Sequence, residues 1–147
     1  MGKDSFKESG FTLLEIMVVI VILGILVGYV GVKIMGEPEK ARRTKAMVQI
    51  ESIETALKVY KLDNGAYPTT EQGLEALVAP PEVGELPKAW RDGGYLEKGR
   101  VPKDPWDNEY AYLSPGLQGD FDIISYGPDG QPGGEGENED ITNWGLD

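Results

Sequence analysis

Residues Phe11 to Val32 form a nearly unbroken apolar run, FTLLEIMVVIVILGILVGYVGV, interrupted by a single acid, Glu15. As a helix rising 1.5 Å per residue, this run extends roughly 33 Å, enough to cross the hydrocarbon core of a bilayer. From Ile16 to Val32 no position carries a charge, which is too long an uncharged stretch for the surface helix of a globular domain. The chain has no second run of this kind, so it carries at most one membrane anchor. The roughly 110 residues that follow can bury a modest core.

The run is longer than the apolar part of a secretory signal peptide, and no small-residue cleavage site follows it. The change in character comes before it, where the charged leader MGKDSFKESG ends at Gly10. An uncleaved anchor leaves Glu15 unexplained. A charge at the centre of a membrane helix costs roughly 2.5–3.5 kcal/mol on insertion scales, and less near an end, where the side chain can snorkel. A cut after Gly10 gives the acid a role. Phe11 would then carry a free ammonium, and Glu15 could pair with the ammonium of a neighbouring copy when helices assemble in register. The plainer alternative is a lone acid reaching the interface.

The residue alphabet closes off several chemistries. With no Cys and no His, disulfides, thiolate metal sites, Ser-His-Asp catalysis and the usual general base are all absent. Asp/Glu pairs acting as glycosidase acid and base remain conceivable, but no phosphate-binding loop accompanies them, and the chain reads as a non-enzyme. The net charge of −11 is concentrated at one end. Asp104 to Asp147 holds eleven acids and no Lys or Arg, which argues against a nucleic-acid partner and favours a divalent cation.

Beyond the anchor the helical period continues. Met47, Ile50, Ile53, Leu57 and Tyr60 recur at three- and four-residue steps, Glu54 and Lys58 are spaced as an i,i+4 pair, and Asn64-Gly65 supplies a stop. One continuous helix from Phe11 to about Asn64 is expected. Lys40, Arg42, Arg43 and Lys45 cluster where it would leave the membrane, so charge alone leaves the topology ambiguous. Thr69 or Thr70 should cap a short helix starting near Thr70–Leu74. Glu109–Ser114 and Phe121–Tyr126 alternate as strands, joined into a hairpin by PGLQGD. Trp90, Tyr95, Trp106 and Trp144 lack periodicity and are expected to anchor loops on the core. The fold class is α+β: a long N-terminal helix, transmembrane in its first half, packed on a small antiparallel β-hairpin domain with a loop-rich C-terminus.

In the tail, SYGPDGQPGGEGENEDITNW, Asp129, Glu135, Glu137, Asn138, Glu139 and Asp140 set hard oxygens among glycines that allow positive φ. Oxygen donors without nitrogen or sulfur suit Ca²⁺, although the spacing is not that of an EF-hand. A calcium loop and an unliganded acidic turn both remain open on composition.

Gly10-Phe11-Thr12-Leu13-Leu14-Glu15 resembles the class III signal of type IV pilin-like proteins. YKLDNGAYPTTEQGLEALV, DPWDNEYAYLSPG and DIISYGPDGQPGGEGENEDITNW resemble the major pseudopilin family of type II secretion. The resemblance implies three parts: a leader, 1–10; a transmembrane and polymerisation helix, 11–32; and a periplasmic domain of pilin-like fold, 33–147. It implies cleavage between Gly10 and Phe11 by a prepilin peptidase, N-methylation of Phe11, and pairing of Glu15 with an adjacent subunit's N-terminus. It places the leader in the cytoplasm, the anchor in the bacterial inner membrane and the domain in the periplasm. The implied partners are further copies in a homopolymer, minor pseudopilins and the inner-membrane secretion machinery. It also implies structural calcium, held by the side chains of Asp129 and Asp140 with main-chain oxygens of Tyr126 and Gln131; Glu139, Asn138 and Glu135 are further candidates. Helices of this family commonly carry a proline where this chain has Val32. The competing readings are a major type IV pilin of a surface fibre, many of which carry a C-terminal cysteine pair absent here, and a membrane-anchored calcium-binding adaptor.

Overall fold

The computed structural model describes residues 10–34 and 37–145, with side chains described for 10–27 and 38–145. Helix α1 spans Leu13–Ile34 and helix α2 spans Glu37–Asn64. Continuity of the expected single helix rests on residues 35 and 36, which lie outside the described residues. Val32, at the position of the family's usual proline, stands within α1. The chain divides into two compact units, residues 1–38 and 39–147.

In the first unit, every described side chain of α1 from Leu13 to Val27 is exposed. Those side chains end at Val27, and among the described residues no helix is long and apolar enough to cross a membrane.

In the second unit, α2 buries one stripe. Ile50, Ile53 and Leu57 are fully buried and Tyr60 nearly so, as the period requires. Met47 is a correction, since it remains on the surface while Ala46 is fully buried instead. Gly65 ends α2 at φ +86, its N–H closing on the Lys61 carbonyl at 2.7 Å. Glu54 and Lys58 form the anticipated ion pair at 3.9 Å. The short helix near Thr70 is also displaced: residues 70–73 are turns, and a 3-10 helix follows at Leu74–Leu77. Thr69 caps the turn before it, its hydroxyl accepting from the Gln72 N–H while its own N–H donates to Gln72 Oε1.

Strands β1 (Ala111–Leu113), β2 (Asp122–Ser125) and β3 (Ile141–Thr142) form one antiparallel sheet in that order. Tyr112 faces Ile123 across the hairpin, and Ser125 faces Ile141. The hairpin loop is closed by buried Asp122, whose carboxylate accepts from the N–H groups of Leu117 and Gln118. Strand β3 was not anticipated; two residues are too few to show an alternation. Three of the four scattered aromatics do anchor loops. The Trp90 indole donates to the Ala76 carbonyl, the Trp106 indole to Glu39, and the Tyr95 hydroxyl accepts from Asn64. Trp144 does not, being substantially exposed.

Burial pushes the Tyr112 hydroxyl up to about 12, and that hydroxyl donates to the Pro68 carbonyl at 2.8 Å. Tyr110 is also raised, by burial first and by the Asp104 charge second. Between pH 10 and 12 the unfolded chain loses these protons while the folded chain keeps them. Stability should therefore be complete below pH 10 and fall above it, by ~2 kcal/mol from Tyr112 alone at pH 12. Urea midpoints measured from pH 8 to 12 should show this decline, with a shallower one in Tyr112→Phe. A midpoint unchanged to pH 12 would refute the assignment.

Candidate functional site

Two regions carry the residues singled out by sequence. The first is the head of α1. Gly10 and Phe11 are exposed, and the helix starts two residues later. Thr12 is its cap: the Thr12 hydroxyl accepts from the Glu15 N–H at 3.2 Å, and its carbonyl accepts from the Ile16 N–H at 3.3 Å. Glu15 is thus the third residue of the first turn, where T-x-x-E forms a capping pattern and the helix dipole favours a negative charge. The acid therefore has a local reason to sit there. Thr12-x-x-Glu15 ahead of an apolar run was the signal that could have revealed it.

The second region is the C-terminal loop. Asp104, almost fully buried, organises its base: its carboxylate accepts from the N–H groups of Trp106 and Asn108 and, at 2.7 Å, from the Ser125 hydroxyl. Ser125 in turn accepts from the Gly127 N–H, and the Asn108 amide donates to the Gly127 carbonyl. The start of the GPDG turn is therefore tied from both sides. Gly134 adopts φ +91, and a Cβ there would collide with the Asn138 carbonyl. Arg43 of α2 donates to the carbonyls of Glu139 at 2.8 Å and Glu137 at 3.3 Å, fastening the loop to the helix. Asn143 bridges the end of the loop to α2 and the sheet through Glu54, the Phe121 carbonyl and the Ile123 N–H. Sequence reasoning missed Arg43, Asp104, Asn108, Ser125 and Asn143. Only Asp104, heading the Asp-Pro turn of DPWDN, carried a local signal.

The expected cation ligands are brought together only in part. Asp140 Oδ2 accepts from the Gly133 N–H at 2.8 Å, while its Oδ1 is buried with no hydrogen-bond partner. A buried carboxylate oxygen lacking a donor is costly, and a cation would satisfy it. Asp129 is exposed, one oxygen accepting from the Gln131 N–H. Glu135, Asn138 and Glu139 are exposed, and of these Glu139 lines the same depression as Asp140. Tyr126 and Gln131 flank the GPDG turn, half-buried and exposed respectively. Among the described residues no group of three or more acidic side chains could hold a metal. The unpartnered Asp140 oxygen is the one observation at this loop that suits a hard cation, and no cage of acids surrounds it among the described residues.

Residues 33–144 match the family model described as Type II secretion system (T2SS), protein G, and residues 5–30 match the Prokaryotic N-terminal methylation motif. The chain belongs to the type II secretion system protein G family. It is similar to the type II secretion system core protein G of Vibrio cholerae serotype O1, 55% identical over 144 residues, covering 98% of this chain and 97% of that one. The core protein G of Pseudomonas aeruginosa is 53% identical over 138 residues, covering 94% of this chain and 96% of that one. Among solved structures, the crystal structure of the major pseudopilin from the type 2 secretion system of enterohaemorrhagic Escherichia coli matches with a TM-score of 0.66 and 48% identity, over 75% of this chain and 92% of that one. The protein G family is that of the major pseudopilin, a structural subunit of the secretion machinery's pseudopilus and not an enzyme. The α+β pilin-like fold and the non-enzymatic role read from sequence agree with this membership.

Proposed function

We propose that the precursor enters the inner membrane through Phe11–Val32, is cut between Gly10 and Phe11 by a prepilin peptidase, and polymerises with its own copies into a periplasmic filament. The leader lies on the cytoplasmic side and residues 33–147 on the periplasmic side. Minor pseudopilins and the inner-membrane machinery join the homopolymer, which helps drive folded proteins across the outer membrane.

The observation that carries this reading is the exposed apolar surface of α1, with an acid in its first turn that makes no ion pair among the described residues. Apolar side chains along a whole helix need lipid or other helices around them. The helix dipole offsets only about 0.3–1 kcal/mol of placing Glu15 in lipid, less than the roughly 2.5–3.5 kcal/mol insertion cost at a helix centre. A neighbour's Phe11 ammonium, created by cleavage and then methylated, supplies the remainder. Calcium bound at Asp140 and Asp129, with main-chain oxygens near Tyr126 and Gln131, would hold the periplasmic loop in shape.

Mass spectrometry of the mature protein tests the proposal. The expected chain begins at Phe11 with one methyl group on its amine. A working protein that still carries MGKDSFKESG would refute the pairing and favour a membrane-anchored calcium-binding adaptor.

A further inference from the structure

Helix α2 carries two charged features of opposite sign on opposite flanks. On one flank Arg43 holds the acidic loop through the Glu137 and Glu139 carbonyls, and Met47 lines the same depression as Glu139 and Asp140. On the other, Lys45 and Gln49 line a cleft of about 530 Å³ together with Lys98, Arg100 and Lys103. Each of these residues lies two positions from its counterpart. At roughly 100° per residue, two positions turn the helix by about 200°. The acidic loop and the basic cleft of one chain therefore face nearly opposite directions.

Most of the charges in both features make no ion pair among the described residues. Lys45, Lys98 and Arg100 are exposed and, among the described residues, make no ion pair. Lys103 is shared with Asp107 at 3.4 Å. Asp104 also borders the cleft, but its oxygens are engaged by Ser125, Trp106 and Asn108, and the cations outnumber the two acids. Across α2, Glu135, Glu137 and Glu139 are exposed and likewise make no ion pair among the described residues. Calcium at Asp129 and Asp140 would leave Glu137, which is outside the expected ligand set, free.

We propose that the basic cleft formed by Lys45, Lys98, Arg100 and Lys103 receives the acidic loop, residues 134–139, of a second copy of the chain. The inference rests on the filament reading and adds to it a specific contact between periplasmic units. A patch that meets a different patch on the opposite flank makes a head-to-tail contact, and such contacts propagate as open filaments unless the rotation closes a ring. Each pair is solvent-exposed, so the contact sets register and makes assembly salt-sensitive, charges being screened over about 8 Å at physiological ionic strength.

The test uses the full-length protein expressed with its secretion machinery. A cleft variant carries Lys98→Glu and Arg100→Glu; a loop variant carries Glu137→Lys. Each alone should lower fibre yield at least about ten-fold with an unchanged melting temperature, while co-expression should restore it, because each reversed surface finds its complement on the other chain. Independently, Arg100→Cys with Glu137→Cys should give an oxidised ladder of dimers and longer species, in a chain that has no native cysteine. Wild-type fibres with both reversed variants at full yield, or no ladder from the cysteine pair, would overturn the contact and leave the filament reading intact. Wild-type cells without fibres would overturn both. Normal fibres but blocked export from the cleft variant would make the cleft's occupant an exported protein, which also overturns the contact.

Discussion

Glu15→Ala should lower fibre yield about ten-fold or more while the melting transition of the periplasmic unit stays where it is in wild type. A charge-assisted hydrogen bond contributes roughly 1.5–3 kcal/mol, and each 1.4 kcal/mol is a factor of ten in an association constant. The loss falls on assembly because Glu15 belongs to the first unit, where its N–H bonds to the Thr12 hydroxyl, and not to the unit whose melting is measured. Glu15→Gln separates the two roles of this residue. Glutamine keeps the capping geometry of T-x-x-E but loses the charge, so it should assemble as poorly as alanine if the neighbour's ammonium is the partner. Electron microscopy of fibres and immunoblots of sheared fractions would read both variants. Recovery of Glu15→Gln to wild-type yield would mean that the cap, and not the ion pair, is what assembly requires.

Calcium should raise the melting temperature of the detergent-solubilised chain by on the order of 10 °C. A ligand at a hundred times its dissociation constant stabilises the folded state by about 2.7 kcal/mol, and 1 kcal/mol shifts the midpoint of a domain this size by roughly 4–8 °C. Magnesium should do less, because it demands octahedral geometry and releases its waters reluctantly. Asp140→Asn keeps an oxygen able to accept from the Gly133 N–H but removes the charge beside the unpartnered Oδ1. Its response to calcium should disappear, with only a small change in the calcium-free transition. Wild-type protein whose melting is indifferent to millimolar calcium would end the cation reading and leave the loop as an acidic turn fastened by Arg43.

Local rules made much of this chain legible. The stripe Ile50, Ile53, Leu57 and Tyr60 was readable because a 3.6-residue period allows one buried face, and the hairpin because turn residues separate two alternating runs. Met47 belongs to the same period yet stays exposed, since burial depends on what covers a position and not on its spacing. The missed cap at Thr12 was legible in Thr12-x-x-Glu15, but the acid was weighed as a charge alone, either paired with a neighbouring copy or reaching the interface.

The C-terminal loop divides differently. Its glycines and oxygens advertise a turn able to hold a hard cation, but the residues that fix its shape come from far along the chain. Arg43 lies 94 and 96 positions from the carbonyls it binds, and Asn143 lies 89 from Glu54. Asp104 reaches Ser125 across 21 residues.

The sequence by itself determined the apolar run Phe11–Val32, the N-terminal methylation motif, the helical stripe and the excess of oxygen donors, because each follows from composition or from a period within a few turns of chain. Only the tertiary structure decided that Asp140 keeps one buried oxygen without a donor, that β3 completes the sheet, and that acidic loop and basic cleft lie on opposite flanks of α2. Those outcomes depend on which distant segments meet, and no local pattern encodes the meeting.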